Sequence, residues 1–506
     1  MNEHAIRKIV IIGGGTAGWM AAAALSKLLD QQTLEVCLVE SDEIGTVGVG
    51  EATIPPLTAF NKMLGINEDD FLAATMGTFK LGIEFVNWGA RGERYFHPFG
   101  PHGQDFQGVH FHQLYLREAQ RTRLPEIQNW SMSAVAAVLG RFARPGPDAR
   151  LPLSQLAYAF HFDAGLYALF LRRFAENAGV TRVEGKIVAS AQNDQNGQVR
   201  SVTLADGSEI EGDFFIDCSG FRGMLIEEKL VTGYEDWTKW LPCDRAVAAP
   251  CSLPGAPDPF TRSTALYAGW QWRIPLQHRM GNGMVYSSAH LDSAEAERQL
   301  VASLEGKILA DPRHIKFTAG RRRLAWNANV VSLGLSSGFV EPLESTSIHL
   351  IQSGIAKLLA LFPDRRFNSA ERDEYNRQMQ TVFEDVRDFV ILHYKATRRD
   401  DSEFWNYCRN MEIPDSLGTK LELWRSKGRV FREGFELFGT ASWVAVLLGQ
   451  GELPAETEPA VAAIDQNMAN DALEKMRLSY RQMAEHMPRH AEFIARSCAA
   501  AGTNAT

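Results

Sequence analysis

A run of apolar, mostly β-branched residues, Ile9 to Ile12, opens the patterned part of the chain. Three glycines in a row follow it, and after them comes the alanine-rich run Met20 to Leu25. A short apolar run without alternation is typical of a buried parallel strand, and the alanine-rich run is typical of a helix. The pattern therefore predicts a strand, a tight turn and a helix, which together form the opening unit of an α/β fold.

Later patterns extend this prediction, and strand patterns give way to helical ones from about residue 355. The elements that periodicity predicts are a strand at 35–39, a helix from 162 to 177, strands over 183–204, antiparallel strands over 260–290 and helices over 348–360, 371–397 and 467–484. We therefore predict an α/β core over residues 1–365 with an added antiparallel sheet and a helical insertion at about 110–150. Residues 366–506 are predicted to form a mainly helical region packed on the core, at the substrate side.

Length, charge and cysteine content exclude several classes of protein. The 506 residues are too many for one small core, and a net charge of −9 does not indicate nucleic-acid binding. The chain has no stretch of 18 apolar residues, and its first strand begins within ten residues of the N-terminus, so we expect no membrane span and no signal peptide. The six cysteines lack C-x-x-C pairing, which favours reduced thiols, a cytoplasmic location and no metal site.

The glycine-rich turn predicts a dinucleotide site. In the spacing Gly13-x-Gly15-x-x-Gly18, the first glycine permits the turn, the second lets the backbone approach a pyrophosphate and the third lets helix and strand pack closely. The second strand ends in Glu40, 22 residues beyond Gly18, where an acid that binds a ribose hydroxyl belongs. A glycine turn without a ligand would not need strand, helix and acid in register.

A later segment favours FAD over a nicotinamide cofactor. The apolar strand 213–217 continues into Cys218-Ser219-Gly220 and resembles the segment of flavoprotein oxygenases that returns the chain to the cofactor; an ordinary strand and turn is the alternative. No second glycine motif stands between a strand and a helix, so no NAD(P)H site is visible. We therefore expect reduced FAD to come from a separate NAD(P)H-dependent flavin reductase.

The string Trp270-x-Trp272-x-Ile274-Pro275 narrows the class further. Together with the glycine turn it resembles the paired signature of the flavin-dependent tryptophan halogenase family, and the resemblance extends over nearly the whole chain. Segments 48–55, 79–82 and 342–346 are similar to the family's flavin-covering loop, catalytic lysine segment and catalytic glutamate segment. The resemblance implies a Rossmann-like FAD-binding core of the glutathione-reductase or aromatic-hydroxylase type.

The resemblance also implies a chemistry. Reduced FAD and oxygen give a C4a-hydroperoxide, a halide attacks it, and the resulting hypohalous acid passes through the interior to Lys80. An ammonium hydrogen bond or a haloamine at Lys80 then delivers electrophilic bromine or chlorine to one aromatic carbon. Glu344 would polarise Lys80 and accept the proton that the ring loses. The alternatives are a surface salt bridge for the lysine and a helix-capping role for the glutamate.

The remaining roles follow from the same resemblance. Trp270 and Trp272 would keep organic substrates away from the flavin, although two packed aromatic residues on one strand face are the alternative. Backbone amides of Thr346 and Ser347 would hold the halide, and many relatives carry glycine in place of Ser347. The residues assigned to FAD are Gly13, Gly15, Thr16, Ala17, Gly18, Glu40, Ala52, Thr53, Leu335, Ser345 and Ile348.

The predicted substrate pocket departs from the family pattern. His97 and Phe99 match a ring-sandwiching His-x-Phe loop, or else form a loop packed by its own side chains, and Phe438 replaces a ring-clamping tryptophan. The pair Ser426-Lys427 stands where tryptophan-specific relatives carry two tyrosines, with Glu433 as a remaining amine partner. A site without those contacts gains little from an amino acid's backbone groups, which favours indole or a larger electron-rich aromatic over free tryptophan.

Two classes of function stay open at this point. A halogenase of a small indole-like or phenolic aromatic is favoured by Lys80, the tryptophan pair and the missing NAD(P)H motif. A flavoprotein aromatic monooxygenase or hydroxylase shares the fold without the halide step. A halogenase of a carrier-tethered or larger aromatic is a third candidate, and the family implies a homodimer.

Overall fold

The computed structural model describes residues 3–30, 32–44, 50–434 and 436–501. The chain forms two compact units, each assembled from three segments. Unit 1 consists of Met1–Met76, Phe162–Thr238 and Phe317–Glu384, and unit 2 consists of Gly77–His161, Lys239–Lys316 and Asp385–Thr506. The glycine turn and Glu344 therefore belong to unit 1, whereas Lys80 and the predicted pocket residues belong to unit 2.

Unit 1 is built on a six-stranded sheet that is parallel except at one edge. Its central strand, Lys8–Ile12, is almost entirely buried, as a strand covered on both faces requires. In order across the sheet the strands are Trp326–Asn327, Val330–Ser332, Phe214–Asp217, Lys8–Ile12, Glu35–Glu40 and Thr181–Glu184.

Helices and short strands complete unit 1. Asp163 caps one helix by accepting hydrogen bonds from the backbone N–H groups of Gly165 and Leu166, at 3.0 and 3.1 Å. The helices are Thr16–Leu28, Pro56–Leu64, Glu68–Ala74, Ala164–Asn177 and Ser347–Ala360. The further strands are Glu51–Ala52, Ile187–Gln192, Val199–Leu204, Glu209–Glu211, Tyr234–Asp236, Gly320–Arg322 and Gly338–Phe339.

Unit 2 is built around a seven-stranded, mainly antiparallel sheet. Its order is Arg313–Lys316, Arg245–Ala248, Met280–Tyr286, Gly269–Pro275, Thr261–Ala265, Gly82–Val86 and Arg94–Pro98. Two further strands, Thr78–Lys80 and Ala159–Phe162, pair antiparallel and set Lys80 opposite Ala159. Lys80 is therefore part of a strand rather than of a loop.

The helices of unit 2 are Phe111–Arg121, Met132–Val138, Ser293–Ser303, Glu403–Asn410, Asp415–Lys427, Thr440–Gly449, Gln466–His486 and His490–Ser497. The longest described helix, Ser369–Lys395, has 27 residues and is divided between the two units after Glu384. The short 3-10 helices Ile127–Trp130, Pro152–Gln155 and Pro459–Ala463 lie in unit 2, and Gly220–Arg222, Gly334–Ser336 and Pro342–Glu344 lie in unit 1.

These elements confirm the predicted fold class, an α/β core with an added antiparallel sheet and a helical C-terminal region. The predicted helices over 371–397 and 467–484 correspond to Ser369–Lys395 and Gln466–His486. The domain boundary between residues 365 and 366 stays a prediction. Within the described ranges, no helix combines the length and the apolar character needed to cross a membrane.

Candidate active site

The glycine turn is tightly packed against its neighbours. Gly13 has a φ of +100°, and a Cβ there would lie 2.4 Å from the carbonyl oxygen of Cys218. A Cβ on Gly18 would lie 1.9 Å from the carbonyl oxygen of Gly13. Side chains at these two positions would clash with backbone atoms, so the turn itself requires both glycines.

Gly15 has different surroundings, and they fit a pyrophosphate. Its φ is −74° and its ψ is −173°, a conformation open to any residue, and a Cβ there would meet no atom within 4 Å. The helix that begins at Thr16 presents its first N–H groups beside this open backbone. Phosphate oxygens accept hydrogen bonds from such groups, so the turn fits the dinucleotide that the motif predicts.

The segment that contains Leu335 packs against the start of the helix that follows the glycine turn. Gly334 has a φ of +67°, and a Cβ there would lie 2.8 Å from the Cβ of Ala17. Leu335 itself is half-buried in the 3-10 helix Gly334–Ser336. Two residues that the sequence assigns to FAD, far apart in the chain, therefore belong to one neighbourhood in unit 1.

Glu40 lies at the end of its strand with both carboxylate oxygens hydrogen-bonded. Oε1 accepts from Nε of Arg182 at 2.6 Å, and Oε2 accepts from Nε1 of Trp19 at 3.3 Å. The guanidinium of Arg172 lies 3.6 Å from the same carboxylate. A carboxylate has about four lone-pair sites, so a ribose hydroxyl can still donate to it. Sequence reasoning missed Arg182, because it reaches Glu40 from a neighbouring strand and carries no motif.

The strand that returns to the glycine turn ends at Asp217. The buried Asp217 carboxylate accepts hydrogen bonds from the backbone N–H groups of Ser219, Leu225 and Ile226, at 3.0, 2.8 and 2.9 Å. The backbone N–H of Cys218 donates to the carbonyl of Ile12 at 2.9 Å. A carboxylate with several N–H donors fixes the turn, so the chain does return to the glycine motif.

Glu344 is fully buried three residues before the helix Ser347–Ala360. It ends a 3-10 helix, and the next residue, Ser345, has a φ of +60°. A positive φ at a non-glycine residue is strained and turns the chain sharply between the glutamate and the helix. The N-cap residue of that helix is Thr346, and Glu344 lies two residues before it, in the 3-10 helix Pro342–Glu344.

Thr346, the N-cap residue of that helix, is a candidate anion ligand. Its hydroxyl oxygen is buried and has no hydrogen-bond partner in the described part of the chain. A buried donor beside the first N–H groups of a helix fits a small anion such as a halide. The adjacent Ser347 is half-buried, and Ile348 is buried.

The predicted flavin-covering segment is described only from Gly50 onward, because Gly48 and Val49 lie outside the described residues. Ala52 and Thr53 are both buried. Burial raises the pKa of Glu51 to about 7, and the charge of Asp163 adds to the rise. A carboxyl group that changes charge near neutral pH therefore precedes two residues assigned to FAD.

Lys80 is 0% exposed, unlike a surface lysine in a salt bridge. Its Nζ lies 5.2 Å from the ring centroid of Phe99, within cation–π range. The structure thus brings together the predicted delivering lysine and one predicted pocket residue. An ammonium group in apolar, aromatic surroundings hydrogen-bonds a polar reactant more strongly than one in water.

His490 holds the backbone next to this lysine. Its Nε2 accepts a hydrogen bond from the backbone N–H of Phe79 at 3.2 Å, and its Nδ1 lies 2.8 Å from the carbonyl oxygen of Pro257. Burial lowers the pKa of His490 to about 4, and the Pro257 carbonyl opposes that effect. The imidazole is therefore neutral at neutral pH, with Nδ1 as its donor.

His161 holds the same strand two residues before Lys80. The hydroxyl of Thr78 donates to the carbonyl of Pro275 at 2.7 Å, so its oxygen accepts from Nδ1 of His161 at 3.0 Å. Nε2 of His161 then accepts from the hydroxyl of Thr261 at 2.9 Å. Burial and the charge of Lys80 lower the pKa of His161, which keeps the ring neutral.

Trp270 and Trp272 lie on one face of the strand Gly269–Pro275, with ring centroids 6.0 Å apart. Both are buried, and a Cβ on Gly283, directly opposite Trp272, would lie 2.0 Å from its ring. The glycine therefore makes room for the indole. Nε1 of Trp272 is buried and makes no hydrogen bond to any described residue.

Aromatic side chains surround the predicted pocket residues. Phe438 stacks on Phe389 with centroids 3.8 Å apart and 15° between the planes. His97 lies 5.7 Å from Phe389 and 6.4 Å from Phe438, and Trp443 lies 5.2 Å from Phe389. Sequence reasoning missed Phe389 and Trp443, because each sits in a helix whose apolar pattern is that of ordinary core.

The predicted amine partner Glu433 is exposed, whereas Glu436 is buried. Oε1 of Glu436 accepts from Nζ of Lys420 and from the backbone N–H of Glu433, each at 2.7 Å. Nζ of Lys420 also lies 5.0 Å from the ring centroid of Trp443. The buried charge beside this aromatic cluster is therefore Glu436, and Lys420 neutralises it.

Unit 1 thus carries a glycine turn that fits a dinucleotide, in a largely parallel sheet, and unit 2 carries a buried lysine beside the ring of Phe99. These features define a nucleotide-cofactor-dependent oxidoreductase.

Comparison with known proteins identifies the family. The sequence pattern of the Tryptophan halogenase family matches residues 8–466. A flavin-dependent halogenase from Xanthomonas campestris is 48% identical, with a TM-score of 0.95 over 98% of this chain and 99% of its own. BrvH, a flavin-dependent halogenase from Brevundimonas sp. BAL3, is 47% identical, with a TM-score of 0.93 over 97% of this chain and 99% of its own.

Tryptophan 7-halogenase RebH from Lentzea aerocolonigenes is 35% identical over 530 residues, which cover 97% of this chain and 98% of RebH. The chain belongs to the tryptophan halogenase family, which confirms the resemblance drawn from its motifs. It is an enzyme of the flavin-dependent halogenase class, and this class uses FAD and a halide.

Proposed function

We propose that the protein uses FADH2 from a separate flavin reductase, oxygen and a halide to make a hypohalous acid, and that it installs bromine or chlorine on an electron-rich aromatic such as indole. The observation that carries this proposal is the complete burial of Lys80 beside Phe99 in a chain of this family. A lysine is rarely fully buried unless its charge is paired or it belongs to a functional site.

The residues of unit 1 fit FAD. The open backbone at Gly15 and the helix that begins at Thr16 would receive the pyrophosphate, and Glu40 would receive a ribose hydroxyl. Reduced FAD, when bound, supplies with oxygen the oxidising power that turns a halide into a hypohalous acid. The chain's own part is to hold FAD, to hold the halide and to exclude organic substrate.

Thr346 and the start of the helix Ser347–Ala360 are proposed to hold the halide. The buried Thr346 hydroxyl and the first N–H groups of the helix offer donors and a partial positive charge. The half-buried hydroxymethyl group of Ser347 would shape this site and so bias it between bromide and chloride. Trp270 and Trp272, buried and closely packed, are proposed to keep aromatic substrates from the flavin.

Lys80 is proposed to deliver the halogen. Its ammonium would donate a hydrogen bond and then a proton to the oxygen of the hypohalous acid while a ring carbon attacks the halogen, so that the oxygen leaves as water and Lys80 is left as a neutral amine. His490 and His161 fix the strand that carries Lys80, which keeps Nζ in place. Glu344, desolvated by complete burial, would take the proton that the ring carbon loses.

A small indole-like substrate fits unit 2 better than a free amino acid. The rings of His97, Phe389 and Phe438 offer flat apolar contact. The carboxylate of Glu436 is neutralised by Lys420, and Glu433 is exposed, so the aromatic cluster has little to offer an ammonium group.

A product mass scan tests the proposal. The protein, FAD, a flavin reductase, NADH and oxygen are incubated with indole or tryptophan, with bromide, with chloride and without halide. We expect a monohalogenated indole with the isotope pattern of the added halogen, and no such mass without halide. Oxygen insertion instead of halogen would favour the aromatic monooxygenase. Halogenated tryptophan with no halogenated indole would contradict the proposed substrate class, and activity confined to larger aromatics would favour the larger-substrate halogenase.

A further inference from the structure

The strand Thr78–Lys80 receives little support from its own sheet. It has three residues, lies at the edge of that sheet and pairs antiparallel with Ala159–Phe162 on one side. An edge strand presents unpaired N–H and C=O groups on its other side, and so short a strand is held by few hydrogen bonds of the sheet. The position of Lys80 therefore depends on hydrogen bonds from other parts of the chain.

Gln277 makes such a bond directly before the strand. Its Nε2 donates to the carbonyl oxygens of Gly77 and Cys498, at 2.7 and 3.0 Å, and its Oε1 accepts from the backbone N–H of Ala500 at 2.8 Å. A primary amide has two N–H donors, and both are engaged here. One side chain thus joins three segments of unit 2 that lie far apart in the sequence.

The C-terminal segment also holds the middle of the strand. Its helix, His490–Ser497, begins with the imidazole whose Nε2 accepts a hydrogen bond from the backbone N–H of Phe79 at 3.2 Å. The Phe493 ring of the same helix lies 5.4 Å from the Phe79 ring, edge to face. We call Gln277 and residues 490–500 together the C-terminal brace.

The C-terminal brace contacts the face of the strand that is opposite to Lys80. Successive side chains of a strand point to opposite faces, so Phe79 faces the C-terminal helix while Lys80 faces away from it. The ammonium of Lys80 lies over the ring of Phe99 instead. The brace therefore sets the position of Nζ through the backbone of the strand.

We propose that Gln277 is a positioning residue for halogen transfer: through the C-terminal brace it keeps the Lys80 ammonium where it meets the hypohalous acid before that acid escapes to solvent. This inference rests on the proposed function. A displacement of about 1 Å at a reacting group can lower a rate by about a hundredfold. Without the brace, Lys80 would miss part of the hypohalous acid, which would then react outside the site.

The fate of the oxidised halide tests this role. The parent and Gln277→Met, whose side chain has a similar length but cannot make these bonds, turn over indole and bromide with FAD, a flavin reductase, NADH and oxygen. Catalase removes hydrogen peroxide, and excess methionine captures escaped hypobromous acid. The thioether sulfur takes the oxygen of that acid and becomes a sulfoxide, and bromide and a proton are released. Bromide-dependent sulfoxide therefore measures escape.

We expect the ratio of brominated indole to sulfoxide to fall by about tenfold in Gln277→Met, with the sum of the two products within about twofold of the parent. A merely structural role would give a different result, because a loss of folded protein lowers both products together and leaves their ratio unchanged. Gln277→Glu has nearly the same shape, but its carboxylate cannot donate, so it should show the same fall in the ratio.

Gln380→Met is the matched control. Gln380 is exposed, and this variant also loses a side-chain hydrogen bond, to Glu384 at 2.8 Å. It should keep the product ratio of the parent, because that bond does not involve the lysine strand.

Hydrogen exchange tests the brace without turnover. In Gln277→Met, peptides that cover residues 77–81 should exchange their amide hydrogens about tenfold faster than in the parent, while the buried strand Lys8–Ile12 should not change. Faster exchange at 77–81 with no bromide oxidised by the parent would support the brace and count against the proposed function alone. An unchanged product ratio in folded Gln277→Met, or unchanged exchange at 77–81, would overturn the inference.

Discussion

At the scale of single residues, burial decides which charged groups are candidates for chemistry. Lys80 and Glu344 are both 0% exposed, whereas an ion pair such as that between Lys475 and Asp471 lies at the surface. Removing a charge from water is costly, and replacing buried charges with apolar groups is often neutral or stabilising. Two buried charged residues in the motifs of this family are therefore better explained by reaction chemistry than by stability.

Replacing Lys80 by methionine tests that explanation. Lys80→Met keeps most of the side-chain volume and removes the ammonium, so halogenation of indole should fall by about a thousandfold or more. FAD binding should stay, and the melting temperature should be unchanged or higher, because a buried charge is gone. Product masses and thermal melting check both points, with the exposed Lys475→Met as the matched control. Normal product yield from Lys80→Met would contradict the proposed role.

Glu344→Gln tests the proposed proton acceptor. The amide keeps the shape of the carboxylate but cannot take up a proton, so halogenation should slow by about a hundredfold while FAD binding persists. Turnover of indole at saturating concentration is the measurement. The exposed Glu474→Gln serves as the control and should behave as the parent does. A rate within about twofold of the parent would remove Glu344 from the mechanism.

At the scale of elements, the glycine turn separates structural from binding glycines. A Cβ on Gly18 would lie 1.9 Å from a backbone oxygen, whereas a Cβ on Gly15 would meet no atom within 4 Å. Gly18→Ala should therefore lower stability by about 2 kcal/mol or more, because backbone atoms must move apart. Gly15→Ala should leave the stability of the FAD-free protein unchanged. It should lower the affinity for FAD by about tenfold, because the added methyl group would lie where the pyrophosphate approaches.

Denaturant unfolding of the FAD-free variants and FAD titration check this pair. The two variants carry the same chemical change a few residues apart, so each is the control for the other. Equal loss of stability in both, or unchanged FAD affinity in Gly15→Ala, would contradict the assignment of the turn.

The elements and the contacts between them differ in how well the sequence predicts them. Strand Lys8–Ile12 and helix Ala164–Asn177 follow from a local apolar run and a local cap, and both were predictable. The stacking of Phe389 on Phe438 was not, because Phe389 lies in a separate helix and carries no motif that marks it as a partner of Phe438. The role of Gln277 was not predictable either, since its hydrogen bonds join segments that lie far apart in the sequence. Periodicity reports on neighbours along the chain, whereas the pocket depends on contacts between distant elements.

At the scale of the whole molecule, buried neutral histidines predict acid sensitivity. Burial lowers the pKa of His102 to about 3 and lowers those of His349 and His490 to about 4. A histidine of the unfolded chain binds its proton near pH 6.5, so the unfolded state binds more protons between about pH 6.5 and 4. Stability therefore falls as the pH falls through that range.

Denaturant unfolding at about pH 7 and about pH 5 measures this effect. Each of these histidines should make the free energy of unfolding about 2 kcal/mol smaller at about pH 5 than at about pH 7. Glu51, whose burial raises its pKa to about 7, acts in the opposite direction and offsets roughly one of them. Replacing His490 by glutamine should reduce the pH dependence by about one histidine's share. A stability that does not change between the two pH values would contradict the assignment of neutral, buried rings.

The central claim, halogen transfer rather than oxygen transfer, is tested most directly by the mass spectrum of the product formed from indole in the presence of bromide and isotope-labelled oxygen gas. The complete system contains the protein, FAD, a flavin reductase and NADH. The account predicts a product with the paired isotope peaks of bromine and no labelled oxygen. A product that carries labelled oxygen and no bromine would contradict it.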